Sequence, residues 1–178
     1  MDLREETISS EDIYKGSFLS LRKDIVRLPN GKISSRDIVV HPGAVVVVAI
    51  DDGGYIPMVR QYRKAVDDTL LELPAGKMEY GEDPGQCALR ELAEETGYIA
   101  DNIRPLTAFY STPGFSTENM YLFLATGVTK GTSDTDDDEF IEVEHYKLDQ
   151  LVEMVMAGDI KDSKSIVGIL FVARLLNR

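Results

Sequence analysis

Apolar residues in this chain follow two periods, and the switches between them mark its elements. Ser17–Leu28 and Lys32–His41 read as two strands. Pro29-Asn30-Gly31 joins them, and Asn-Gly is a strong hairpin signal. Ala44–Ile50 is a continuous, largely β-branched run, the mark of a central buried strand. Asp51-Asp52-Gly53-Gly54 is a turn, and Tyr55–Gln61 is the returning strand, with Pro57 pointing to an edge or a bulge. Thr69–Leu73 is a short strand. The spacing then changes: Ala88, Leu89, Leu92 and Ala93 form one helical stripe. Arg104–Tyr110 and Met120–Thr126 are strands around the loop Ser111–Asn119. Gly131–Glu139 is an acidic loop and Phe140–Lys147 a strand. Leu148–Ala157 and Ser163–Leu176 are helices, the second with Ile166, Ile169, Leu170, Ala173 and Leu176 on one side. Hairpins and helices that do not alternate strictly predict a mixed α/β sandwich.

Composition narrows the class. The 178 residues are long enough for one domain with a sizeable core. A hydrophobic fraction of 43% and a charged fraction of 28% are those of a soluble protein. No basic, apolar leader opens the chain and no apolar run is long enough to span a membrane. Cys87 is alone, so a disulfide framework is excluded and a cytoplasmic location expected. A net charge of −12 argues against nucleic-acid binding. It also opposes binding of anionic phosphates, unless divalent ions neutralise an acidic cleft and local arginines hold the ligand.

The chemistry concentrates in Gly76–Tyr98. Asp83 is placed to cap a helix, Pro84 suits its first position, Gln86 sits where a capping box takes Glu or Gln, and Gly97 ends it. At about 100° per residue, Glu91, Glu94 and Glu95 crowd one side of that helix. Like charges at this spacing repel, and a hard cation between them would reverse the penalty. An ordinary solvated helix is the alternative for an isolated acidic triplet. Here Leu73-Pro74-Ala75-Gly76, Glu82, Arg90 and Gly97 accompany it. Arg90 stands beside Glu91 and could fix its rotamer. Oxygen donors suit Mg²⁺, with Mn²⁺ possible, whereas Cys87, His41 and His145 are not arranged as zinc ligands.

These residues resemble the Nudix box: Gly76, Glu82, Arg90, Glu91, Leu92, Glu94, Glu95 and Gly97 match, and Tyr98 stands where an aliphatic residue is usual. The resemblance implies the Nudix helix–sheet–helix sandwich over 43–178, preceded by a β-hairpin extension over 1–42. It implies Glu91 and Glu95 as the main metal carboxylates, Glu94 assisting, the Ala75 carbonyl as a further ligand, Glu82 as a partner either of the metal ligands or of a second metal, and Arg90 orienting the glutamates. Outside the box, Arg60-Gln61-Tyr62-Arg63, Leu71-Glu72-Leu73-Pro74-Ala75-Gly76, Ser111-Thr112-Pro113-Gly114-Phe115-Ser116-Thr117-Glu118 and Gly158–Ser165 resemble the ADP-ribose pyrophosphatase subgroup. That implies hydrolysis of ADP-ribose to AMP and ribose 5-phosphate. Another nucleotide sugar, a dinucleotide such as NADH or diadenosine polyphosphate, or non-catalytic nucleotide sensing are the rival readings.

Substrate contacts are expected from Arg36, Arg63, Glu72, Pro113, Gly114, Ser116 and Glu118. A guanidinium at Arg36 or Arg63 can stack on adenine and meet phosphate, though Arg36 reads equally well as a surface residue. Glu139, with Asp137 second, is the expected base, carried on the acidic loop. His41 and His145 are read as packing or surface residues. In the subgroup the N-terminal segment exchanges between subunits and walls the adenine pocket, so a homodimer is expected, with Phe18 and Leu19 as partner-side contacts.

Overall fold

The computed structural model describes residues 2–131 and 140–177. The chain separates into two compact units, Met1–Gly43 with Tyr110–Asn119, and Ala44–Phe109 with Met120–Arg178.

In the first unit β1 (Glu6–Lys15), β2 (Ser20–Arg27) and β3 (Ile33–Val40) form an antiparallel meander. The β2–β3 hairpin closes as expected: Gly31 takes a φ of 81°, and the Lys32 N–H donates to the Asn30 side chain at 3.0 Å. The extension is thus three-stranded, and β1 is the strand that sequence patterning passes over. Its residues are polar apart from Ile8, Ile13 and Tyr14, all of it is exposed, and register shifts between Thr7 and Ser9 and between Asp12 and Tyr14 break the two-residue period. Ser111–Glu118 docks on β3, the Val39 N–H donating to the Phe115 carbonyl at 2.7 Å and the Thr117 N–H to the Val39 carbonyl at 3.0 Å.

The second unit holds two sheets. One runs β7 (Ala75–Lys77), β4 (Ala44–Ala49), β9 (Asn119–Lys130), β8 (Tyr98–Tyr110). The other runs β10 (Ile141–Lys147), β5 (Tyr55–Arg63), β6 (Asp68–Glu72). β4 is buried throughout and covered on both faces, which is why its sequence does not alternate. Val45, Val47 and Ala49 pack with Cys87, Ala88 and Leu92 of α1 (Pro84–Thr96), together with Phe123 and Ala125. Val46 and Val48 pack on the other side with Leu148 and Leu151 of α2 (Leu148–Ala157) and Ile169 and Val172 of α3 (Ser163–Leu175). Each such side chain contributes about 1.5–3 kcal/mol by leaving water. The expected mixed α/β sandwich is this arrangement.

Pro57 does not make β5 an edge strand: β5 lies between β10 and β6. β6 pairs only with Val59–Arg63, however, so no ladder bond is required from Pro57 on that side. β8 starts directly after Gly97 instead of near Arg104, and Gly97 caps α1 with a φ of 71°.

Candidate active site

The acidic helix is set in place from both ends. Asp83 accepts the Gly85 and Gln86 N–H groups at 2.9 and 3.1 Å, and the Gly97 N–H closes the last turn on the Ala93 carbonyl. Leu92, Ala88 and Cys87 anchor one face in the core, leaving the carboxylates on the others. Opposite the helix, Ala75, Gly76 and Lys77 are fixed by antiparallel pairing with Val46, Val45 and Ala44.

Arg90 is the hub. Its Nε and Nη2 donate to Glu82 at 3.1 and 3.2 Å, and its Nη1 donates to Glu91 at 2.9 Å and to Glu94 at 2.8 Å. One guanidinium therefore gathers three carboxylates that would otherwise repel. Its hydrogen bonds to Glu82 raise the Arg90 pKa further. Arg90, followed by the Glu79 N–H, holds the Glu82 carboxyl down at about 2. Burial first, and then Glu82, push the Cys87 thiol up to about 12.

Glu95 is separate. It is 4% exposed, and its carboxylate accepts the Ala75 N–H at 2.9 Å. Gly76 is glycine because of Glu91: a Cβ there would lie 1.9 Å from Glu91 Cδ. The strand backbone and the Glu91 carboxylate thus meet at a distance that only a missing side chain allows.

A second cluster adjoins Glu95. Arg63 makes a two-pronged bond to Glu72 at 2.9 and 2.8 Å, Lys164 pairs with the same carboxylate, and Lys164 also meets Asp162 at 3.0 Å. Asp162 caps α3, and Ser165 Oγ receives the Leu73 N–H at 2.7 Å. Burial alone would push the Glu72 carboxyl up, but Arg63 and Lys164 outweigh it and its pKa lies below the usual range. The Arg63 pKa is raised, chiefly by Glu72 and also by the charge of Glu95.

In the first unit Ser111–Glu118 closes on itself. Ser111 Oγ donates to Glu118 at 2.5 Å, and the Glu118 N–H to Ser116 Oγ at 3.1 Å. Gly114 has open space where a Cβ would stand, so only its neighbourhood, not its conformation, singles it out. His41 is held within this unit. Its Nδ1 accepts the Gly43 N–H at 3.1 Å, which places a neutral ring's proton on Nε2, 3.7 Å from Glu118. Phe18 meets the His41 ring edge-on, and Phe18, Leu19 and His41 line a cleft of about 290 Å³. Arg36 does not join Glu118 or Ser116. It is bound to Glu5 at 2.5 and 2.9 Å. Glu139 and Asp137 lie outside the described residues.

The structure therefore brings together Glu82, Arg90, Glu91 and Glu94, joins Glu95 to Ala75, and pairs Arg63 with Glu72. Sequence reasoning gave Lys164 and Asp162 no role. Their signal was the N-cap pattern Asp162-Ser163-Lys164-Ser165, which reads as a helix start. Among the described residues no three acidic, histidine or cysteine side chains converge as a ready metal cage, because Arg90 stands among the acids. The donors are nonetheless carboxylate oxygens with a strand backbone against Glu91, and that set fits a hard divalent ion.

Residues 40–166 match the NUDIX domain model, and residues 5–39 match the nucleoside diphosphate sugar hydrolase N-terminal domain. An ADP-ribose pyrophosphatase of Bacillus subtilis is 46% identical over 94% of this chain and 91% of its own length. A methanol dehydrogenase activator of Bacillus methanolicus is 43% identical over 93% and 90%. The crystal structure of an ADP compounds hydrolase superposes with a TM-score of 0.88 over 99% of this chain and 97% of that one. At 19% identity it speaks for the fold alone. With its box helix, its sandwich and these relatives in agreement, the chain belongs to the Nudix family.

Proposed function

We propose that this Nudix protein is a Mg²⁺-dependent hydrolase that splits ADP-ribose into AMP and ribose 5-phosphate. The observation that carries the chemistry is the set of glutamates gathered by Arg90 against Gly76. The Bacillus subtilis relative named ADP-ribose pyrophosphatase supports this substrate. Glu91, Glu95, Glu94 and the Ala75 carbonyl, with Glu82 behind them or at a second ion, would hold Mg²⁺ or Mn²⁺, which would supply charge neutralisation for the phosphates and a more acidic water.

The chain's own groups do the rest. Arg90 gathers Glu82, Glu91 and Glu94 on one side of α1, so that those it now bonds need only turn from the guanidinium to reach an ion. Glu72 keeps the planar Arg63 guanidinium aimed, leaving its faces for stacking on an adenine and its remaining N–H groups for a phosphate. Ser116 and Glu118 offer acceptors to a sugar hydroxyl, in the loop that also carries Pro113 and Gly114. Arg36 would serve only after releasing Glu5. Glu139 is proposed as the base. The protein works as a homodimer in the cytoplasm, and no helix among the described residues is long and apolar enough to cross a membrane.

The test is an assay of ADP-ribose, NADH, diadenosine polyphosphates and GDP-mannose with and without Mg²⁺. ADP-ribose should turn over fastest, and only with metal. Glu91→Gln should reduce kcat by about 10²–10³-fold, as loss of a charge-stabilising group does, with the melting temperature held. Turnover of none of the four would refute the enzyme and favour a sensor.

A further inference from the structure

One buried polar group is not used by anything described so far. Gln61 is 8% exposed, and its Oε1 is enclosed without a hydrogen-bond partner among the described residues. A carboxamide in that condition costs folding free energy, so its retention needs a reason outside the fold.

Its position supplies one. Side chains of β5 alternate between faces. Ile56 and Met58 enter the core shared with α2 and α3, and Arg60 on that same face pairs with Glu144. Pro57, Val59, Gln61 and Arg63 occupy the opposite face. Cross-strand partners share a face, which adds Ile141, Val143 and His145 of β10 and Glu72 of β6. Two contacts identify this face as the one turned toward the acidic helix. His145 bonds to the Tyr98 hydroxyl at 2.8 Å, one residue past the helix cap, and α1 itself packs against β5. Gln61 therefore stands two residues from Arg63, about 7 Å along the strand, beneath the carboxylate helix.

We infer that Gln61 is a ligand-binding residue of this site, its Oε1 accepting a hydrogen bond from an O–H group that arrives with the substrate. Its surroundings favour that partner. Arg63 is already committed to Glu72, and the neighbouring carboxylates are themselves acceptors, so the donor must come from outside. Two sources carry such an O–H: a sugar hydroxyl of the substrate, or a water held against its phosphates. The inference rests on the proposed hydrolase reading for the identity of the ligand, but not for the burial and isolation of Gln61.

The experiment compares wild type with Gln61→Met, which keeps the length and removes the polar atoms, and with Gln61→Leu as a second apolar replacement. Unfolding in urea without ligand comes first. At least one replacement should have a midpoint equal to or above that of wild type, since an unpaired amide is lost. Affinity for ADP-ribose is then measured calorimetrically in EDTA, and kcat and KM with Mg²⁺. A sugar hydroxyl predicts a Kd and KM raised about 10-fold with kcat held, the value of one hydrogen bond. A water predicts Kd held and kcat lowered by about the same factor. Both replacements destabilised, or neither Kd nor kcat changed, overturns the inference. If wild type fails to cleave ADP-ribose, the substrate assignment falls separately, and the urea midpoints then decide the role of Gln61.

Discussion

A missing side chain and a buried thiol decide much of what happens at single residues. Gly76 has no positive φ to justify it; what it lacks room for is a methyl group. Gly76→Ala must drive Glu91 off the strand, because the neighbour is a carboxyl carbon 1.9 Å from the new atom. Overpacking of this kind costs about 1–3 kcal/mol, so a urea midpoint should fall. More tellingly, Mg²⁺-dependent activity should fall further than stability does, since the displaced group is a proposed metal ligand. An alanine variant with unaltered Mg²⁺ dependence would mean that Glu91 does not need its present place. Cys87 makes the opposite case. It packs with Val45, Val47 and Leu92, it has Glu82 nearby, and its thiol is pushed up to about 12. The thiolate is the reactive form, so a disulfide reagent at pH 8 should label the folded protein far more slowly than the urea-unfolded chain. Equal rates would show that the helix opens readily.

At the level of elements, the link between β5, β6 and the start of α3 is electrostatic. Glu72 is enclosed, yet it holds its charge because Arg63 grips it from β5 and Lys164 from α3. Its folded pKa lies below the unfolded value of about 4.3. The carboxylate thus contributes stability above that value and loses it as pH falls through the lower, folded pKa. Glu72→Gln should cost about 2–3 kcal/mol at pH 7, somewhat under the figure for a fully enclosed pair because Arg63 is partly exposed. The deficit should begin to shrink as pH falls below the unfolded value of about 4.3 and should vanish once pH has passed through the lower folded pKa. A deficit independent of pH would assign it to packing instead. This staple shows where sequence reading stops. The strands β2 to β5 and all three helices were legible because burial on one or two faces imprints a period, and α1 also because its caps are local chemistry. The acids of the box were legible because their spacing is helical. The Arg63–Glu72–Lys164 link was not, since it joins residues 63, 72 and 164 across strand pairings that no local pattern encodes. Nor was β1, whose exposed faces carry no period. Tyr98, an anomaly in the box pattern, became intelligible only once His145 was found at its hydroxyl.

For the molecule as a whole, the N-terminal strand bears on its assembly. β1 is a ten-residue edge strand exposed along its full length, with Ile8, Ile13 and Tyr14 at 46%, 50% and 58% exposure. A long open edge with apolar side chains is a template for pairing with another chain, and monomeric proteins shorten, charge or cover such edges. β1 is partly protected by its two register shifts and its acidic residues, which disfavour indiscriminate pairing while leaving a specific partner free to dock. A three-stranded sheet is itself near the lower limit of independent stability. A second copy of this chain is the partner available to every molecule at the concentration at which it is made, and closed pairs are the commonest assembly. The expected outcome is a sedimenting species of twice the 19.8 kDa chain mass at micromolar concentration. Deleting residues 2–15 should lower that mass to the single chain, while α1 and its carboxylates, which are anchored in the second unit, keep their near-ultraviolet signature and melting transition. A full-length chain that sediments as a monomer would remove the dimer. A truncated chain that still pairs would move the interface away from β1 and leave the exposed strand to be explained by some other partner.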